Sequence, residues 1–156
     1  MVKNEEQGLS DIKAIYVSGA YSHSHAAERH RNIHRAWDIS ARIWEIPGAY
    51  AVCPHCNTQH MDGPVPYEKF MEGDLHQLAR CDAIFMLWGW HHSSGAARER
   101  DEAIRLGLPV FYQRQWATES EEFYELQEWL KDGTPPSSHC PCGSGLCRQL
   151  MVGGKV

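Results

Sequence analysis

The chain has 156 residues and a formal net charge of −5, enough for one domain with an ordinary core. That acidic balance argues against a nucleic-acid duplex or an anionic membrane as partner and favours a small molecule. No stretch approaches the roughly 20 apolar residues of a membrane helix, and the polar run from Met1 to Asp11 does not resemble a signal peptide, so a cytoplasmic protein is expected. Six cysteines in that compartment read as thiols or metal ligands rather than disulfides.

A polar segment, 1–11, precedes the first predicted strand, Ile12 to Ser18, which ends at Gly19. A His-rich loop follows through His25. From Ala26 to Ile46 the residues Ile33, Ala36, Trp37, Ser40, Ala41 and Trp44 recur at three- and four-residue intervals, which predicts an amphipathic helix stopped by Pro47-Gly48. Ala49 to Cys53 is a second strand, and the three prolines between Pro54 and Pro66 predict a loop. Tyr67 to Arg80 reads as a helix with Phe70, Leu75 and Leu78 inward. The unbroken apolar run Ala83 to Trp88 fits a strand covered on both faces. A helix from Gly95 to Leu106 ends at Gly107, Pro109 to Tyr112 is a fourth strand, and Ser120 to Leu130 is a last helix with Phe123, Leu126, Trp129 and Leu130 on one side. These elements make one α/β domain over residues 12–131, followed by a Gly/Pro/Cys-containing tail, 132–156.

Strands alternating with helices at this spacing predict a small doubly wound, Rossmann- or flavodoxin-like parallel sheet, with strand order 2-1-3-4. Such sheets bind ligands outside the carboxyl ends of the strands, where the winding reverses. Ser18-Gly19 and the stretch Trp88 to Ser94 leave from the two strand ends that flank this point. Ser93 or Ser94 can cap the helix that opens near Gly95, and its first N–H groups suit an anion. Glu99 lies about one turn further on. It is either the far partner of a capping box or a functional carboxylate aimed at whatever is held there.

Five segments in order carry a family resemblance. Tyr16-Val-Ser-Gly19, Pro54-His-Cys-Asn-Thr58, Asp74-Leu-His-Gln-Leu78, Cys81-Asp-Ala-Ile84 and Gly89-Trp-x-x-Ser93-x-Gly95-Ala-x-x-Glu99, with Leu106-Gly-Leu-Pro-Val110 after them, resemble the DUF4406 family. That group is similar to the nucleoside 2-deoxyribosyltransferases and the nucleotide N-hydrolases. The resemblance implies cleavage of an N-glycosidic bond with Glu99 attacking the anomeric carbon and Asp74 contacting or protonating the leaving base. It also implies a sugar pocket shaped by Tyr16, a 5′-phosphate held by Ser93, and a homodimer or larger homo-oligomer. Ser18, Gly19 and Gly95 join Ser93 as expected phosphate or substrate contacts.

Displacing a base needs one ionised carboxylate at the oxocarbenium-like carbon and one protonated carboxyl toward the departing nitrogen. Glu99, near a helix N-terminus, is expected to stay ionised, and Asp74 to serve as the acid. Asp82, just before the third strand, is expected to make a local hydrogen bond. Trp90, in the loop itself, is a candidate stacking surface for the base.

The remaining metal-ligand types leave alternatives open. His30 and His34 stand one helical turn apart, and Arg29, Arg31 and Arg35 beside them are available to a phosphate. Cys53 and Cys56, with Cys140, Cys142 and Cys147 in the tail, either share a structural zinc or are respectively a strand-end core residue, a loop residue and a tail cluster. Redox work by Cys53 and Cys56 is disfavoured because no helix is expected to follow them directly. The leading expectation is an N-glycosidase needing no cofactor, acting on a nucleoside 5′-monophosphate or nucleoside, with hydrolysis favoured over deoxyribosyl transfer. The alternatives are a non-catalytic module that binds a nucleotide or ADP-ribose-type ligand, and a zinc-stapled interaction protein.

Overall fold

The computed structural model describes residues 11–61, 63–114, 121–137 and 140. Its elements run β1 (Lys13–Ser18), α1 (Ala26–Trp44), β2 (Ala49–Val52), α2 (Pro54–Thr58), α3 (Tyr67–Leu78), β3 (Ala83–Met86), α4 (Ser94–Arg105), β4 (Val110–Tyr112) and α5 (Tyr124–Asp132). The four strands are parallel in the order β2-β1-β3-β4, as the sequence predicted. Tyr16 is level with Ile84 and Ser18 with Met86, so β1 and β3 end side by side at the reversal of winding.

Alternation along β1 divides the core. Ile15 and Val17 point to the face covered by Ile39 and Ile43 of α1 and Phe123 and Leu126 around α5. Ala14 and Tyr16 point to the other face, with Leu78 of α3, Ala96 and Ala103 of α4, and Trp90. Ser18, two residues beyond Tyr16, shares that second face, a parity on which the site depends.

Several boundaries and faces differ from expectation. The proline-rich segment opens with the short helix α2, because Pro54 stands at its first turn, where a missing N–H costs nothing and the fixed φ suits a helix. The strand β3 stops at Met86 rather than Trp88, since the chain turns at Gly89 in the left-handed region (φ 82°) into a 3₁₀ turn, Trp90–His92. In α1 the buried stripe runs through Ala36, Ile39, Ser40 and Ile43, leaving Trp37 and Trp44 56% and 62% exposed. The tryptophans lie beside the stripe that meets the sheet, where Trp44 instead packs on the Tyr50 ring. The last helix begins at Tyr124.

Candidate active site

A cavity of about 290 Å³ opens at the carboxyl ends of the strands. Gly19, Tyr21 and Ser22 reach it from the chain after β1, and Pro54, His55 and Thr58 from the chain after β2. Tyr67, Phe70, Met71 and Asp74 come from α3, and residues 92–96 with Glu99 from the start of α4. Ligand sites of doubly wound sheets occupy this position.

Glu99 is 6% exposed, and its carboxylate is gripped from behind. The Tyr16 hydroxyl donates to Oε1 at 2.9 Å, and the Ser18 hydroxyl donates to Oε2. Both donors come from the strand parity described above, which aims residues 16 and 18 of β1 at α4. The capping-box reading fails on geometry. Ser93 is the N-cap and its hydroxyl accepts from the Ala96 N–H at 3.3 Å, so the third helical position, where a capping-box Glu belongs, is Ala96.

Burial sets the charge state of the two carboxyls facing the cavity. Desolvation pushes Glu99 up to about 7 against the opposing pull of the Ser18 and Tyr16 hydrogen bonds, with the Asp74 charge adding to the rise. Desolvation alone pushes Asp74 up to about 6. The expectation that Glu99 stays ionised is therefore corrected. It sits beyond the first turn of α4, where the helix dipole has faded, and removal from water outweighs the two donors. Tyr16 is raised well above the ordinary phenol range by burial first and by the Glu99 and Asp74 charges next, so it remains a donor.

The model of a family described as a domain of unknown function, DUF4406, matches residues 13–112. The chain belongs to the DUF4406 family. Two solved structures resemble it at low identity. A conserved protein from Enterococcus faecalis V583 superposes with a TM-score of 0.54 at 15% identity, covering 78% of this chain and 76% of that one, which establishes a shared fold. The 2-deoxyribosyltransferase of Bacillus psychrosaccharolyticus gives a TM-score of 0.47 at 18% identity, covering 64% of this chain and 70% of that one. No curated protein matches.

Within this DUF4406 chain, the expected site residues Gly19, Ser93, Gly95, Asp74 and Glu99 all line the same cavity. Ser18 and Tyr16 stand behind Glu99 and are not among the lining residues; both are fully buried. The Ser18 hydroxyl is committed to Glu99, so it is a carboxylate partner and not a phosphate contact. Trp90 is also placed differently from expectation. It is 2% exposed in the core, with the Arg100 guanidinium 5.1 Å above its ring and Tyr112 alongside, and it anchors the 3₁₀ turn rather than presenting a stacking face. The buried Arg100 donates to the Tyr112 hydroxyl at 2.8 Å, which satisfies part of its charge.

Sequence reasoning missed His55. Its side chain is buried in the cavity wall, its Nε2–H donates to the Ala20 carbonyl at 3.1 Å, and its Nδ1 has no hydrogen-bond partner among the described residues. Burial lowers its pKa, so the ring is neutral and ties α2 to the loop after β1. The available signal was its place between two cysteines in a segment shared with the family. Tyr67 and Met71 were missed because their lining role depends on how α3 leans on α4.

Other candidates are dispersed. Arg29 donates to the His23 carbonyl, Arg31 pairs with Glu28, and Arg35 lines a neighbouring cleft, so none of the three lines the Glu99 cavity. Asp82 accepts from the Ala14 N–H at 2.8 Å, pinning β1 beside the start of β3. His30 lies against His60, and His34 against Trp37. Among the described residues, no three His, Cys, Asp or Glu side chains gather as metal ligands. Cys53 and Cys56 meet, whereas Cys140 packs against the core on the opposite side of the sheet from Cys53. Cys142 and Cys147, the other tail residues expected around zinc, lie outside the described residues. No described helix is long and apolar enough to cross a membrane.

Proposed function

We propose that this chain cleaves the N-glycosidic bond of a nucleoside 5′-monophosphate or nucleoside, with Glu99 as nucleophile and Asp74 as general acid. The supporting observation is a buried carboxylate, braced by two hydroxyls, that faces the same nucleoside-sized cavity as a second carboxyl of raised pKa. In the first step a Glu99 oxygen bonds to the anomeric carbon, the carbon–nitrogen bond breaks, and the departing base nitrogen takes its proton from Asp74. In the second, water attacks the glycosyl ester while Asp74 takes the water proton, and Glu99 leaves as carboxylate.

The reactive form has Glu99 ionised and Asp74 protonated, the reverse of what values of about 7 and 6 favour at equilibrium. A one-unit inversion costs about 1.4 kcal/mol, small against an enzymatic barrier reduction. The donors from Tyr16 and Ser18 favour ionised Glu99 and limit that cost.

About one turn before Glu99, Ser94 and Gly95 line the cavity and open α4, where the first-turn N–H groups lack helical acceptors and suit a 5′-phosphate. This supports hydrolysis of a monophosphate over transfer between bases. Incubation with deoxynucleoside monophosphates, and separately with a nucleoside plus an acceptor base, followed by chromatography, tests both. Blank reactions with unchanged nucleotide binding by Glu99→Ala would overturn the assignment. Stabilisation by nucleotide without consumption would support a non-catalytic binding module instead. A homodimer or larger assembly belongs to the same reading and is checked by light scattering.

A further inference from the structure

We propose that Cys53 and Cys56 form a thiol–disulfide exchange site that takes low-molecular-weight disulfides. The Cys56 thiol donates to Cys53 Sγ with the sulfurs 2.9 Å apart, about 0.9 Å beyond the length of a formed disulfide. Both side chains are partly exposed at the floor of an open groove of about 530 Å³, between Trp37, Ala41 and Trp44 of α1 and Ala51 of β2, so a small disulfide can reach them. The helix α2, unforeseen in the sequence, produces the contact by turning residues 53 and 56 back toward each other within one turn. No third metal-ligating side chain joins the pair among the described residues, which favours sulfur chemistry over a metal there.

The reaction balances with the small disulfide as oxidant. The Cys53 thiolate attacks one of its sulfurs, forming a mixed disulfide and expelling one thiolate, which takes up the Cys53 proton. The Cys56 thiolate then attacks Cys53 Sγ and expels the second, which takes up the Cys56 proton. Two protein thiols are oxidised and one small disulfide is reduced to two thiols. In the resting state Cys56 is pushed up to about 12 by burial, by its hydrogen bond to Cys53 and by the Cys53 charge. The Cys53 charge disappears once Cys53 is in the mixed disulfide, which removes one of the three causes while burial persists.

The site also reaches the Glu99 cavity. Closing the bond encloses Pro54 and His55 in the ring, both of which line the Glu99 cavity, and His55 holds the Ala20 carbonyl between the lining residues Gly19 and Tyr21.

The test is independent of any glycosidase activity. The full-length protein is equilibrated with oxidised and reduced glutathione, alkylated, digested and weighed by peptide mass spectrometry. The expected result is a peptide holding both cysteines that loses two hydrogens and escapes alkylation. Cys56→Ser should accumulate a glutathione adduct on Cys53, and Cys53→Ser should leave Cys56 alkylatable. The proposal is overturned if the wild-type pair remains alkylatable throughout, if Cys53 bridges to Cys140, Cys142 or Cys147, or if one co-purifying zinc per chain must be chelated before oxidation occurs.

Discussion

The Tyr16 hydroxyl and Glu99 Oε1 meet at 2.9 Å although 83 positions separate them in the chain. The contact joins β1 to the first turns of α4, and it brings into one place two of the sequence segments that carry the resemblance to the DUF4406 family. Tyr16→Phe keeps the packing volume and removes one donor. Because that hydrogen bond lowers the Glu99 pKa, its loss should shrink the fraction of enzyme in the reactive form, move the alkaline limb of the activity profile to higher pH and reduce kcat/KM by about tenfold, the scale of one charged hydrogen bond. An unchanged alkaline limb and an unchanged kcat/KM, with the fold intact by circular dichroism, would detach Tyr16 from catalysis.

Turnover should follow a bell with an optimum near pH 6.5, midway between the values of about 6 for Asp74 and about 7 for Glu99. Below pH 6 the nucleophile is protonated, and above pH 7 the acid has lost its proton. These limbs belong to the coupled pair rather than to either residue alone. Asp74→Asn should flatten the alkaline limb and lower kcat by roughly 10²- to 10⁴-fold, and Glu99→Gln should reduce turnover further still. Steady-state rates from pH 5 to 8 decide it. A sharp alkaline limb surviving in Asp74→Asn would assign the proton to another group.

Folding stability should respond to pH in the opposite sense from the usual carboxylate. Glu99 has its folded pKa raised from 4.5 to about 7, so the native state binds more protons than the unfolded chain over that interval, and stability declines as pH rises through it. The total contribution is on the order of 3 kcal/mol. Glu99→Gln should therefore gain on the wild type between pH 5 and pH 8, measured by urea denaturation at each pH. Parallel stability curves would show that burial does not perturb this carboxyl.

Two glycines at the cavity should respond differently to an added methyl. A Cβ at Gly19 would lie 2.7 Å from Leu87 Cδ1 and 2.9 Å from its Cβ, atoms fixed in the core, so Gly19→Ala should lose about 1–3 kcal/mol of stability. A Cβ at Gly95 would lie 2.9 Å from the hydroxyl of Tyr67, the far end of a half-exposed side chain that can swing aside. Gly95→Ala should therefore leave the melting temperature nearly unchanged and raise KM, with Tyr67→Phe in the same chain restoring part of the loss.

His55→Gln preserves an N–H able to reach the Ala20 carbonyl, whereas His55→Phe does not. The Gln variant should retain most of its substrate affinity and the Phe variant should lose about tenfold, one charge-free hydrogen bond in a buried wall. Equal losses in both would point to ring shape rather than to the donor.

The sheet order was legible in the sequence because four apolar runs, spaced by helix-length segments, leave few right-handed parallel arrangements. The location of the site followed from the same pattern, since ligands collect where the winding reverses. Helix faces were less legible. Trp37 and Trp44 recur at helical spacing just as Ile39 and Ile43 do, and only the docking of α1 on the sheet decided which stripe was covered. Trp90 showed the same ambiguity at the level of one residue. A tryptophan in a loop near strand ends suits a ligand face or a core anchor equally well, and Arg100 and Tyr112 closed around it.

The family resemblance alone singled out Asp74, whereas the order of residues by itself determined the α/β architecture, the crevice at the ends of β1 and β3, and Glu99 as a carboxyl near it. Those features depend on periodicity and on local turn chemistry, which are written along the chain. Only the tertiary structure decided that Tyr16 and Ser18 hold Glu99, that burial pushes the carboxyl up to about 7 against those two donors, and that Cys53 and Cys56 touch. Each of these depends on which distant groups exclude water from one another, a property of packing that no local pattern encodes.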